Sequence, residues 1–488
     1  MNVDQLIDSL REDRDFLSCV SNWQVLPARE ASYAAWPAGV QEKLIRALGA
    51  RGIARLYTHQ AAAVDKALRR EDVCVVTPTA SGKTLCYNVP ILSEILRNDD
   101  ARALYLFPTK ALSQDQVAEL YELITQMDVD IKTYTYDGDT PAAARKAIRQ
   151  AGHVVVTNPD MLHSNILPHH TQWVKLFENL RFIVIDEIHT YRGIFGANLA
   201  NVLRRLMRLC RFYGSDPQFI LCSATIANPG ELAAQLIGRP VSLVDRSGAP
   251  MGEKHIIFYN PPVVNRQLGI RKSALSQTRM LALMLLKNQV PSIVFAKSRV
   301  QVEVLTKALK EERSDALGRA GTVRGYRGGY LPQERREIER GLRAGQVNMV
   351  VTTNALELGI DIGSLDACLL CGYPGTIAST WQQAGRAGRR MGRSLTILVA
   401  SSAPLDQYLI THPEYFFAQS PENALTNPDN LYVLLNHFKC AAYELPFKQE
   451  EDFGNAPGSE SLKQYLQEAG IVRRVGDSYF WSAEDFPA

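Results

Sequence analysis

From residue 73 onward, short runs rich in β-branched and aromatic residues alternate with stretches of helical length, and the alternation runs through twice. The first pass reads "VCVVTP", "RALYLFP", "IKTYTY", "HVVVTNP", "RFIVIDE" and "QFILCSAT". A turn-rich stretch, "RSGAPMGEKH" at 246–255, leads into the second pass: "HIIFYN", "PSIVFAKS", "TVRGYRG", "NMVVTTN", "ACLLCGYP" and "SLTILVAS". Strands joined through helices run parallel, because each crossover carries the chain back to the edge it left. The pattern therefore predicts an α/β protein with two tandem parallel sheets, each wrapped by helices. Ligands of such open sheets gather outside the carboxyl ends of the strands. The polar residues closing each run are where chemistry is expected.

These boundaries give a helical extension at 1–50, a first sheet domain at 51–245, a second at 246–405, and a C-terminal region at 406–488 that shifts to aromatic-rich helices. Within the last, "SLKQYLQEAGIVRRVGDSYFW" offers a helix and then a hairpin turning at Gly476 and Asp477, as a winged helix would. A packing subdomain with Arg473 and Arg474 simply solvated is the other reading. Net charge is only +3 over 488 residues, so any nucleic-acid surface has to be a local patch or a lined groove. Eight dispersed cysteines, no cleavable signal and no run of about 18 apolar residues predict a reducing, cytoplasmic setting without disulfides or membrane. Cys368 and Cys371, the "CLLC" pair, lack two further ligands at zinc-site spacing and read as buried strand residues.

The stretch "TPTASGKT", 77–84, follows an apolar run and precedes a helical one. A phosphate-cradling loop needs backbone N–H groups, here from Thr79, Ala80, Ser81 and Gly82, a lysine, Lys83, and a hydroxyl for Mg²⁺ at the helix start, Thr84. Thr77 stands where the usual motif has its first glycine. The run "FIVIDEIH" supplies the partners, ending in Asp186 and Glu187. An aspartate there can hold Mg²⁺ through its water shell, and the glutamate can deprotonate an attacking water. Together the two strand ends imply an ATPase site. In "QQAGRAGRR", Arg386 and Arg389 are three apart, so both guanidinia face one way and suit the γ-phosphate. Gly385 and Gly388 cost helix stability that a plain surface helix would not give up. The helical stretch "NLANVLRRLMRLCRFYG" lines up Leu199, Leu203, Leu206 and Cys210 and leaves Arg204, Arg208 and Arg211 on another face, either solvated or meeting phosphate or a partner.

The blocks "LYTHQ", "TPTASGKT", "FPTKALSQDQ", "TNPDML", "DEIH", "SATIANP", "IVFAKSR", "TTNALELGIDIG" and "QQAGRAGRR", in this order over about residues 50–400, resemble superfamily 2 DExH-box helicases. "LPAREASY", "CAAYELPF" and "DEIHTYRGIFGANLANVLRRLMRLCRFYGSDP" resemble the MrfA/YprA group, relatives of RecQ-like repair helicases. The resemblance implies two RecA-like domains, with Gln60 reading adenine and Tyr57 near the base. Gly359 and Asp361 would line the nucleotide, and Gln382, Arg386 and Arg389 would act in catalysis. His189, Ser223 and Thr225 would couple ATP to the nucleic-acid groove. Phosphates of the moving strand would meet Pro108, Thr109, Lys110, Gly138, Thr157 and Asn158 in the first domain and Ser298, Arg299, Thr352 and Thr353 in the second. Such contacts ignore base identity, as a motor requires. The expected activity is an ATP-dependent helicase on single-stranded or tailed DNA, 3′ to 5′, in repair, acting as a monomer in the bacterial cytoplasm. An ATP-gated RNA remodeller is the alternative, against which "DEIH" and "LYTHQ" argue. The group carries a four-cysteine zinc module at its C terminus that these residues lack, so the chain is expected to stop short of it, with no zinc.

Overall fold

The computed structural model describes residues 2–317, 323–388 and 392–487, apart from the side chains of 313–317. Its principal strands are β1 (Val20–Leu26), β2 (Val73–Val76), β3 (Arg102–Leu106), β4 (Thr133–Thr135), β5 (Val154–Thr157), β6 (Leu180–Ile185), β7 (Gln218–Ser223), β8 (Ser242–Val244), β9 (Lys254–Tyr259), β10 (Ser292–Phe295), β11 (Val323–Tyr326), β12 (Met349–Thr352), β13 (Ala367–Cys371) and β14 (Ser394–Val399). They form two seven-stranded sheets. The first has the order β8-β2-β7-β6-β3-β5-β4, and the second β1-β9-β14-β13-β10-β12-β11. Adding seven to each number from β2 to β7 converts the six-strand core of one sheet into that of the other, so the two halves are wired identically. Every pairing is parallel except β1 with β9.

The inner strands β2, β3, β5, β12 and β13 bury every residue, which is why they read as continuous apolar runs: both faces are covered by helices. The chain groups into two compact units. One comprises Met1–Ser32, Pro78–Ser81 and Ala249–Glu422; the other comprises Tyr33–Thr77, Gly82–Gly248 and Asn423–Ala488.

The N-terminal residues differ from the helical extension expected ahead of the first sheet. Residues 20–26 form the edge strand β1, antiparallel to β9 of the second sheet, with the Trp23 indole donating to His255 Nδ1 at 3.0 Å. The preceding helix Val3–Glu12 packs Leu6, Ile7 and Leu10 into that sheet's core beside Leu281, Leu285 and Ile397. The last boundary also moves, since the helices Pro404–Thr411 and Pro413–Phe417 belong with the second sheet and the separate C-terminal body starts near 423.

That body is a winged helix. Helices Leu431–Glu444 and Ser459–Glu468 and a hairpin, Val472–Val475 against Ser478–Trp481, close over Phe438, Phe447, Phe453, Leu466 and Tyr479. The hairpin turns at Gly476, whose φ of 60° is left-handed, and Arg473 and Arg474 are exposed.

The arginines of the helix Gly193–Phe212 are not a solvated face. Arg204 reaches Asp429 at 2.7 Å, while Arg208 pairs with Glu451 and donates to the carbonyls of Ala441, Leu445 and Pro446. Arg205, fully buried, donates to both carboxylate oxygens of Glu444 and to His163 and His437. Only Arg211 faces solvent. This row fastens the winged helix to the first sheet domain. Because Arg205 donates to Nδ1 of each imidazole, both rings must be neutral there. Burial first, then the Arg205 charge, lowers His163 to about 4 and His437 to about 3.

Candidate functional site

The loop after β2 is shaped by two left-handed residues, Ala80 at φ 63° and Gly82 at φ 77°. Such a succession turns backbone N–H groups toward one point, where an anion can sit. Lys83 folds back across the loop and donates to the Thr77 carbonyl at 2.9 Å. Thr84 begins the helix Thr84–Arg97, so its hydroxyl lies at the positive end of that helix. Gln60, buried, has both ends of its amide engaged: Tyr57 N–H donates to its oxygen at 2.9 Å, and its nitrogen donates to the Gly82 carbonyl at 2.9 Å. The residue that the resemblance makes an adenine reader is here a brace for the loop. Beside it, Tyr57 stacks between Tyr33, at 5.4 Å, and His59, at 6.0 Å. Tyr33 comes from a short strand paired with Leu56–Tyr57 and escaped sequence reasoning, because nothing in "ASYAAW" marks it.

Asp186 and Glu187 follow β6, two strands from β2 in the sheet. Both are buried. Asp186 accepts from Glu187 N–H at 2.8 Å, and Glu187 holds a left-handed φ of 53° that a β-carbon resists. Burial, then the neighbouring Glu187 carboxylate, pushes Asp186 well above the usual carboxylate range, while Lys83 and a hydrogen bond from Tyr87 pull it back. A carboxylate in that state gains most from a cation. Thr84 and Asp186 offer hard oxygen donors, which fits hydrated Mg²⁺ held mainly by water and phosphate better than an all-protein cage. Such an ion would supply charge neutralisation at the β- and γ-phosphates.

His189 closes this corner. Its Nδ1 lies 3.5 Å from Glu187 Oε2 and accepts from Ala224 N–H at 3.2 Å, so the loop after β6 is tied to the end of β7. Burial lowers its pKa and keeps the ring neutral, and Nε2 is left without a partner among the described residues. Ser223 donates to the Ala224 carbonyl at 2.7 Å, whereas Thr225 is exposed.

In the second unit, Arg386 is almost wholly buried and grips the loop after β12, donating to the carbonyls of Glu357 at 2.6 Å and Ile360 at 3.0 Å. Ser379 and Gln383, from the helix Ile377–Ala384, hold the Glu357 carboxylate at 2.7 and 2.8 Å. The candidate finger is therefore, in this arrangement, the anchor of the segment carrying Gly359 and Asp361. Gln382 is buried with its amide nitrogen unpartnered among the described residues, Asp361 is exposed, and Arg389 lies outside the described residues.

The candidate phosphate contacts lie at the ends of the adjacent strands β3, β5 and β4 in one sheet and of β10 and β12 in the other. Thr109 caps the helix Lys110–Met127, Asn158 caps the turn at Pro159, and Ser298 and Thr353 each cap the next turn of chain. Pro108 is half-buried beside them. Lys110 meets Asp139 at 2.8 Å and lies 3.7 Å from where a Gly138 β-carbon would be. Thr157 and Thr352 differ from the expectation of strand contacts. Both are buried, the Thr157 hydroxyl donating to the Tyr136 carbonyl and the Thr352 hydroxyl having no partner among the described residues. The duplication reveals residues that the sequence reading did not single out: Gly328 follows β11 as Gly138 follows β4, with Arg299 3.5 Å from its would-be β-carbon and Arg327 adjoining. All eight cysteines are free and buried, Cys368 and Cys371 within β13.

Comparison with known proteins agrees with this geometry. The DEAD/DEAH box helicase family matches residues 57–232, the helicase conserved C-terminal domain 276–391, and the winged helix domain of the ATP-dependent helicase HRQ1 426–488. The chain is 57% identical over its whole length to the uncharacterized ATP-dependent helicase YprA of Bacillus subtilis, covering 64% of that protein. It is 36% identical to the ATP-dependent helicase HRQ1 of Saccharomyces cerevisiae, over 96% of the chain and 43% of the relative. The crystal structure of the DUF1998 helicase MrfA bound to DNA and AMPPNP superposes with a TM-score of 0.95 at 57% identity, over 100% of this chain and 67% of that one. The chain thus spans roughly two thirds or less of the relatives it matches. With its twin sheets, its P-loop and strand-end carboxylates and its winged helix, the chain belongs to the superfamily 2 helicases, in the group of MrfA and YprA.

Proposed function

We propose that the protein is an ATP-driven translocase that grips single-stranded DNA at the strand-end lips and separates duplex, moving 3′ to 5′ in DNA repair. The observation that carries the reading is the corner at the carboxyl ends of β2, β6 and β7, where Lys83, Asp186, Glu187 and His189 lie together behind a loop built for phosphate. Glu187 serves as the base for the attacking water, and Thr84 and Asp186 hold Mg²⁺, partly through water. Gln382, Arg386 and Arg389 are the candidate catalytic residues carried by the second sheet domain. The strand contacts are backbone, small hydroxyls and basic side chains, which recognise phosphate without reading bases. That the related MrfA was solved with DNA and AMPPNP supports DNA as the track.

The test is ATP turnover with matched single-stranded DNA and RNA, followed by strand displacement on duplexes carrying either a 3′ or a 5′ tail. Stimulation by DNA and unwinding from the 3′ tail are expected. Stimulation by RNA alone, or displacement only from 5′ tails, would overturn the corresponding part.

A further inference from the structure

One short stretch of the second sheet domain holds apolar side chains out in solvent. The chain leaving β9 forms a two-stranded hairpin, Val263–Asn265 against Ile270–Arg271, in which Val263 pairs with Arg271 and Asn265 with Ile270. Its base is fastened: the Arg271 guanidinium donates to the Pro261 carbonyl at 2.8 Å, and Lys272 N–H donates to the Pro262 carbonyl at 3.0 Å. Its turn is fastened too, by Leu268 N–H donating to the Asn265 side-chain oxygen at 3.0 Å and by Gly269 at a left-handed φ of 64°. Yet Val264, Leu268 and Ile270 are 58%, 72% and 49% exposed. A single exposed apolar residue is ordinary, whereas three on one braced hairpin mark a contact surface.

The charge around the hairpin narrows what it can meet. From Lys254 to Val302 the chain carries lysines and arginines and no aspartate or glutamate, and Arg266 at the turn and Lys272 at the base are both exposed. In a chain of net charge +3, such a one-signed run is a local field for a polyanion. Position narrows it further. β9, β14, β13 and β10 are parallel neighbours, so the hairpin after β9 springs from the same edge of the sheet as the candidate phosphate contacts Ser298 and Arg299 after β10. The two places are three strands apart, about 14 Å at ordinary strand spacing. An apolar tip flanked by cations beside a strand track fits the end of a duplex. A leucine can lie on the flat face of the last base pair, where a stacking neighbour has been removed, while the cations meet the flanking phosphates. A protein partner would have to be acidic as well as apolar, and nothing would tie it to the edge that carries the strand.

We propose that the hairpin Val263–Arg271 is the wedge at which the duplex parts, with Leu268 against the terminal base pair and Arg266 and Lys272 on the phosphates beside it. The proposal rests on the reading of the protein as a DNA helicase. Its test compares Leu268→Ala, Leu268→Phe and Arg266→Ala with wild type in two assays, ATP turnover stimulated by single-stranded DNA and strand displacement on a 3′-tailed duplex. Met280→Ala is the control, an exposed apolar side chain on the following helix Ala274–Lys287. Displacement is expected to fall about tenfold in Leu268→Ala and about threefold in Arg266→Ala, with turnover within about twofold of wild type in both. Leu268→Phe keeps an apolar tip and should displace strands at close to the wild-type rate. Unchanged displacement in Leu268→Ala and Arg266→Ala would assign the tip to a protein partner and overturn the proposal. Turnover lost in step with displacement, failure of Leu268→Phe to displace, or an equal fall in Met280→Ala would also overturn it. A wild type that hydrolyses ATP on DNA yet parts no tailed duplex would instead remove the reading on which it stands.

Discussion

At the scale of single residues, the site is set by backbone positions that tolerate little. Gly82 combines a left-handed φ of 77° with a place where a β-carbon would come within 2.6 Å of the Gln60 amide nitrogen. Gly82→Ala therefore forces out the brace at Gln60 as well as straining the loop, at a combined cost of about 1–3 kcal/mol. Nucleotide affinity measured by titration calorimetry is expected to fall at least tenfold while the melting temperature changes little. Wild-type affinity would show that the loop does not depend on this approach. Lys83 and Thr84 stand out in the sequence because "TPTASGKT" follows an apolar run and precedes a helical one, and Asp186 and Glu187 because they close such a run. Tyr33, which stacks on Tyr57, could not be found, since nothing in "ASYAAW" sets it apart and its partner lies on another strand.

At the scale of elements, the row Arg204, Arg205 and Arg208 shows where a local reading stops. Helical periodicity placed Arg204 and Arg208 off the apolar stripe and did not single out Arg205, and what the three face is supplied by Asp429, Glu444 and Glu451, more than two hundred residues later in the chain. The seam makes stability depend on pH. His163 and His437 titrate near 6.5 when unfolded and are depressed to about 4 and about 3 when folded, so the unfolded state binds protons first. The seam is at full strength above about pH 6.5 and weakens as pH falls below it, by roughly 1–3 kcal/mol at pH 5, the more exposed His163 giving the smaller share. Hydrogen exchange across Leu431–Glu444 at pH 7.5 and pH 5 reads this directly. Faster opening at pH 5 is expected in wild type and should be reduced in His437→Gln. Equal protection at both pH values would contradict the assignment of neutral imidazoles.

At the scale of the whole molecule, one wiring diagram is used twice, and the sequence announced it through the repeated strand–helix rhythm. The edges were less legible. β1, "VSNWQVL", is half-buried along most of its length and shows neither clean alternation nor an apolar run, and its partner β9 lies more than 200 residues away. Removing residues 2–32 would strip that edge and the core contacts of Leu6, Ile7, Leu10 and Phe16. A shortened chain is expected to melt in two steps, the second sheet first, and to aggregate through the bared β9. A single transition at the wild-type temperature would show β1 to be dispensable. The account as a whole depends on the corner where Lys83, Asp186 and Glu187 meet, and Glu187→Gln tests it most directly. DNA-stimulated ATP hydrolysis should fall by about 10²- to 10⁴-fold while binding of ATP and DNA persists. Stimulated turnover retained near the wild-type rate would contradict it.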